Sequence, residues 1–193
     1  MNKNLEKILK VLEDNKITMT FVDAIELAFK LGAEKGFKDP LDKSKYREII
    51  TAEKLEHNLF EGASGGKNND DTYGADAKDA EGNKFEYKSK KVTVGNKNKG
   101  VLNGKYSFEY NGAYSKENID SYSSTSHVFT IYDKVNLLIA VKVPTDYVCN
   151  TLYKNLEEKE KRRALGEDVT TNFNPVCLKF NNGVPEIGEI LYE

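Results

Sequence analysis

The run YGADAKDAEGNKFEYKSKK, residues 73–91, constrains this chain more tightly than any other stretch. Residues 73–78 and 84–91 read as strands. The intervening Asp79-Ala80-Glu81-Gly82-Asn83 reads as a turn, because Gly and Asn accept the dihedrals of a tight reversal. If Lys78 pairs with Lys84, Asp76 comes opposite Glu86 and Gly74 opposite Lys88. Side chains alternate along a strand, so Asp76, Glu86 and Lys88 share one face, while Ala75, Ala77, Phe85 and Tyr87 take the other. A one-residue slip would put Asp76 and Glu86 on opposite faces, so the apolar partition selects the first register.

Directly paired residues have Cβ atoms about 5 Å apart. Two carboxylates at that spacing suit one hard cation such as Mg²⁺, which prefers oxygen ligands. The residues alone leave a second reading open, since charged side chains alternating with aromatics also describe a solvent-facing hairpin. A calcium loop fails: with Gly82 at its sixth position, Ala77 and Lys88 would stand where acids are required.

The formal charge of −2 does not advertise a nucleic-acid partner, but its distribution does. Between Lys84 and Lys105 stand seven lysines (84, 88, 90, 91, 97, 99 and 105) against one acid, Glu86. They surround the glycine-flanked segment 94–100, beside the proposed cation site, where phosphates would need neutralising. A solvated loop is the alternative there. No run of 18 apolar residues and no signal-peptide pattern occurs, so the expectation is a soluble, cytoplasmic protein with no membrane partner. Cys149 and Cys177 lack metal-ligand spacing and are expected as reduced thiols. His57 and His127 have no partner at metal-ligand or triad spacing and are expected to be structural. No phosphate-binding glycine loop, zinc pattern or serine elbow appears.

The first sixty residues read as three helices. Leu5, Ile8, Leu9 and Leu12 mark the first. Thr20 caps the second, which carries Phe21, Ile25, Ala28 and Phe29 and runs toward Gly36. The third spans 42–60, with Tyr46, Ile49, Ile50, Leu55 and Leu59. Whether Glu53 or Glu56 approaches the carboxylates is left open. The segments YSFEYNGAYS and ENIDSYSS offer donors, acceptors and rings to base edges, or else form a polar hairpin. Residues 127–132 and 137–143 read as strands. Thr145 is the expected cap of a helix carrying Val148, Leu152 and Leu156. Its EEKEKRR run is a solvated face or a set of phosphate contacts. Residues 176–180 and 186–192 are expected to close a last hairpin around Asn181-Asn182-Gly183. The pattern is α+β, with helices first and then a mixed β-sheet flanked by helices.

Asp76 followed by Glu86-Tyr87-Lys88 resembles the PD-(D/E)xK nucleases, and among them the type II restriction endonucleases. GADAKDAEGNKFEYKS is similar to their catalytic hairpin in spacing, turn composition and the serine after the lysine. HVFTIYDKVNLLIAVKVPTD with its following helix resembles the next strands and helix. LEKILKVLEDN and VDAIELAFKLG resemble, more loosely, a dimerisation region. The likeness covers about residues 5–165 and is strong in 73–91 and 127–160. It implies a restriction-endonuclease-like core in one compact domain, with a helical dimerisation region over 1–62 and a catalytic and DNA-recognition region over 63–193.

The resemblance further implies a homodimer that cuts both strands of double-stranded DNA at a short palindrome, leaving 5′-phosphate and 3′-OH ends. A separately encoded DNA methyltransferase would protect the host. Asp76 and Glu86 would hold Mg²⁺, Lys88 would position or polarise the attacking water, and Tyr122 would stand near the active site. Ser107, Glu109, Tyr110 and Asn111 would fall on the base-reading strand, with Lys90, Lys91, Lys97, Lys99 and Lys105 against the DNA backbone. The chain departs from the family in lacking its histidine cluster on that strand, in carrying Tyr73 where an upstream acid is usual, and in a longer loop around Asn96. One metal or two, a structure-specific or repair nuclease of the same fold, and a DNA-binding module without catalysis all stay open at this level.

Overall fold

A computed structural model of the chain describes residues 3–34, 42–60, 75–92, 101–170 and 174–193. Two compact units divide between Lys45 and Tyr46. The first holds α1 (Lys3–Asp14) and α2 (Phe21–Glu34). The Thr20 hydroxyl accepts the Asp23 N–H at 3.2 Å, and the Asp23 carboxylate accepts the Thr20 N–H at 2.7 Å. This reciprocal cap fixes where α2 starts. Leu5, Ile8, Leu9, Val11, Phe21, Val22 and Leu31 are all exposed, Phe21 by 80%.

The second unit is α+β. α3 (Lys43–Leu55) leads into β1 (Asn58–Leu59), β2 (Ala77–Lys78) and β3 (Lys84–Val92). β4 (Gly104–Glu109) and the short α4 (Lys116–Ser121) precede β5 (Ser126–Asp133), β6 (Asn136–Val143) and α5 (Thr145–Ala164). β7 (Pro175–Asn181), β8 (Val184–Pro185) and β9 (Glu189–Tyr192) follow. Six strands form a mixed sheet in the order β1-β2-β3-β5-β6-β9, in which β3 and β5 run parallel and the other pairs antiparallel. β4, β7 and β8 form a second, antiparallel sheet.

Each face of the large sheet has its own core. Phe85, Tyr87, Val128, Tyr132, Leu137 and Ala140 pack with Ala52 of α3, joined by Ile50 and Leu55. Phe129, Ile131, Val141 and Val143 on the other face meet Val148, Leu152 and Leu156 of α5, together with Phe108, Val176, Leu178 and Phe180 of the small sheet. Both faces are thus covered by helices, as the α+β reading expects.

Several expectations are corrected here. The division at 45/46 falls within α3, most of which packs with the sheet. Tyr132 donates its hydroxyl to the Arg47 carbonyl at 2.8 Å and meets the Thr51 hydroxyl at 2.8 Å, anchoring α3 on β5. The third helix stops at Leu55: Glu56 turns the chain at φ 58°, and Asn58 and Leu59 pair with β2. ENIDS forms a helix rather than a hairpin, with the Ser115 hydroxyl accepting the Asn118 N–H at 3.3 Å. Pro144, not Thr145, stands at the N-cap of α5, and the Thr145 hydroxyl instead donates to the Thr125 carbonyl at 3.0 Å.

The last hairpin is shorter than expected. β7 turns at Asn182 and Gly183, both at positive φ, into the two-residue β8, and the chain then crosses to pair β9 with β6. Gly188 makes that crossing at φ +102°, where a Cβ would lie 2.6 Å from the Lys142 carbonyl oxygen. Only glycine tolerates both the dihedral and the approach.

Candidate active site

The hairpin forms in the register the alternation selects, with Lys78 opposite Lys84 and Ala77 opposite Phe85. Its turn is tied by the Asp79 carboxylate, which accepts the Asn83 N–H at 2.8 Å, and Gly82 supplies φ +87°. The ladder ends at Ala77. Asp76 then donates its own N–H to the Phe85 carbonyl at 2.7 Å, and its carboxylate accepts the Tyr87 N–H at 2.7 Å. Asp76 is thereby fastened beside residues 85–87 through both its backbone and its side chain.

Glu86 and Lys88 point from β3 to the face shared by their partners in parallel register, His127 and Phe129. Glu86 is buried, with its side chain 9% exposed, and it forms an ion pair with the Lys88 ammonium, whose side chain is 22% exposed. Burial works to lower the Lys88 pKa, but the nearby Glu86 and Asp76 carboxylates outweigh it and hold the ammonium above its ordinary range. Both carboxylates therefore act on the Lys88 ammonium. A desolvated ion pair survives only where further partners answer its charges. Among the described residues, no three of His, Cys, Asp or Glu lie close enough to hold a metal ion between them.

Aromatic side chains close the site. The Lys88 Nζ lies 4.9 Å from the centroid of the Tyr110 ring. Tyr110 is fully buried, and its hydroxyl meets His127 Nδ1 at 2.9 Å. His127 Nε2 lies 3.2 Å from the Tyr122 carbonyl, and the Tyr110 and Tyr122 rings meet edge to face at 5.2 Å. The Tyr122 hydroxyl abuts Gly112, where an added Cβ would approach it to 3.0 Å. Burial, and next the Glu86 charge, push the Tyr110 phenol well above its ordinary pKa. Burial depresses His127 to about 4, with the Tyr122 carbonyl opposing and the Lys88 charge reinforcing that shift.

The remaining expected residues scatter. Lys90 follows Glu86 and Lys88 by strand alternation onto their face, whereas exposed Lys91 falls on the opposite one. Lys105, Ser107 and Glu109 take the outer face of the small sheet, opposite Lys179, Cys177 and Pro175 of β7. Lys105 and Glu109 are exposed, Ser107 is half-buried with its hydroxyl 3.4 Å from the Cys177 sulfur, and Asn111 is exposed. Lys97, Lys99, the 94–100 loop and Tyr73 lie outside the described residues.

Tyr110 departs from its expected place on a base-reading surface. It continues the inward series Tyr106, Phe108, Tyr110 and has no surface left to offer a base. That period-two pattern was the signal that could have found it. Glu53 and exposed Glu56 belong to and follow α3, which covers the opposite face of the sheet from Glu86 and Lys88, so neither joins them. His57 meets the Tyr87 hydroxyl at 2.7 Å and stacks on Phe85 at 4.1 Å, again on the α3 face. In the charge run of α5, Arg162 pairs with Glu167 at 2.6 Å and Lys159 donates to Asn174 Oδ1 at 2.8 Å. Both cysteines are free thiols, Cys149 buried and Cys177 half-buried.

No protein-family model and no curated protein matches this chain.

Proposed function

We propose that this chain is a Mg²⁺-dependent type II restriction endonuclease with a PD-(D/E)xK site on a restriction-endonuclease-like core. The observation that carries the reading is the Lys88 ammonium, ion-paired to Glu86 and raised in pKa by the charges of both Glu86 and Asp76. The donor set fits the cation. Two hard carboxylates act on the same ammonium, and Mg²⁺ is commonly bound by one or two carboxylates, with water and phosphate oxygens completing the shell. When bound there, Mg²⁺ supplies charge neutralisation and a more acidic water.

The chain's own residues do the rest. Asp76 and Glu86 would hold the cation, which would neutralise charge on the phosphate. The Lys88 ammonium donates to a phosphate oxygen or to the attacking water, stabilising charge that grows in the transition state. The water oxygen bonds to phosphorus and gives up a proton to solvent, the P–O3′ bond breaks, and the 3′ oxygen takes up a proton from solvent, leaving 5′-phosphate and 3′-OH ends. Lys90 on the same face, with Lys105, neutralises the DNA backbone. Ser107, Glu109 and Asn111 contribute to base reading. The open apolar surfaces of α1 and α2 are covered by a second copy of the chain, giving one site per DNA strand in a cytoplasmic homodimer, and a separate methyltransferase protects the host DNA.

Digestion of a sequenced plasmid with purified protein and Mg²⁺, followed by sequencing of the fragment ends, tests this. Discrete fragments with 5′-phosphates are expected. Asp76→Ala, Glu86→Ala and Lys88→Ala each lose at least about a hundredfold in cleavage rate, while at least one of them still binds DNA. A Glu86→Ala protein that cuts at the wild-type rate removes the assignment. Digestion confined to branched DNA moves it to a structure-specific nuclease.

A further inference from the structure

We infer that Tyr110, fixed by His127, is a positioning residue for Lys88, its ring face setting where the ammonium stands beside Glu86. The functional consequence rests on the nuclease reading above, whereas the contact itself does not. Lys88 Nζ is 4.9 Å from the Tyr110 centroid, within the range of a cation–π attraction that strengthens where water is excluded. An ammonium on a flexible four-carbon stem would otherwise sample several positions around the Glu86 carboxylate. A ring on one side and a carboxylate on another leave it far fewer.

The ring is itself held at both ends. Tyr110 donates its backbone N–H to the Asn174 carbonyl at 3.0 Å, and the Asn174 amide donates to the Ala113 carbonyl at 2.7 Å. At the far end, the direction of the hydrogen bonds follows from the acceptors. A carbonyl only accepts, so His127 Nε2 carries the proton directed at the Tyr122 carbonyl. Nδ1 of the neutral ring is then an acceptor, and the Tyr110 hydroxyl donates to it. A phenol that gives its proton to such a bond is more electron-rich on its ring face, the face that Lys88 meets. The edge-to-face contact with Tyr122 at 5.2 Å blocks rotation of the ring.

The test uses the full-length protein labelled with ¹³C-lysine. The Lys88 ε-CH₂ resonance, identified by its loss in Lys88→Arg, is expected upfield of the other lysines through the ring current of Tyr110. Tyr110→Leu returns it to the position of exposed lysines, and Tyr110→Phe leaves it upfield. In single-turnover cleavage at saturating DNA and Mg²⁺, Tyr110→Leu slows the reaction at least about tenfold without a comparable change in DNA affinity, and Tyr110→Phe, which keeps the ring face but loses the His127 bond, recovers only part of the loss. Phe108→Leu is the structural control. It removes the ring stacked on Phe129 at 4.2 Å, so it lowers Tm but leaves the Lys88 resonance upfield. A wild-type Lys88 resonance at the exposed-lysine position overturns the inference without need of any variant. So does a folded Tyr110→Leu protein in which that resonance does not move. If the wild-type protein cuts no DNA, the nuclease reading fails and the resonance alone decides this one.

Discussion

His127 sits in the core between a phenol and a carbonyl, and its chemistry can be followed by pH alone. Its pKa falls from 6.5 to about 4, chiefly through burial. Between those values the unfolded chain binds a proton that the native protein refuses, so stability declines as pH falls through that window. The cost at its lower end is up to about 3 kcal/mol. Urea unfolding at pH 7 and pH 4.5 should show a smaller drop for His127→Asn than for the wild-type protein; an equal drop would mean that the imidazole does not titrate this way. At the scale of single side chains the sequence spoke clearly where alternation was strict. The shared face of Glu86 and Lys88 was legible because Phe85 and Tyr87 between and beside them had to face a core. Tyr110 was misplaced because a strand rich in Tyr, Ser and Glu looks polar, although every second residue from Tyr106 onward faces inward.

Elements whose ends are set by local chemistry were also readable. The Thr20 cap, the Asp79–Asn83 turn and the Val148, Leu152, Leu156 stripe of α5 need only neighbours within a few residues. Elements set by distant partners were not. The chain leaves its helical run after Leu55 to pair with a strand some twenty residues later, and β9 leaves its expected hairpin to reach β6. Gly188 makes that second departure sterically feasible. Gly188→Ala is therefore expected to destabilise the protein by about 2 kcal/mol or more, combining left-handed strain with a clash against the Lys142 carbonyl. Thermal unfolding compared with Gly166→Ala separates the two causes. Gly166 shares a positive φ, but nothing lies within 4 Å of an added Cβ, so its loss should be the smaller.

For the whole molecule, the two units present different problems. The sheet unit buries its apolar residues on both faces, while α1 and α2 carry Ile8 at 53% exposure, Val11 at 57% and Phe21 at 80%. The proposed second copy would cover these side chains. A dimer is the expected species in sedimentation velocity, and Ile8→Glu with Phe21→Glu should weaken it at least about tenfold, since charges replace buried apolar contacts. A wild-type monomer at all concentrations would remove the second copy from the proposal. The first two helices, the hairpin register and the α5 stripe were determined by sequence, because period-two and helical spacing act between near neighbours. Tertiary structure alone decided that α3 joins the sheet, that β3 lies parallel beside β5, and that a tyrosine and a histidine from separate segments meet around Lys88. Those pairings join residues that only long-range packing brings together, so the free energy that selects them appears in no local stretch of the chain.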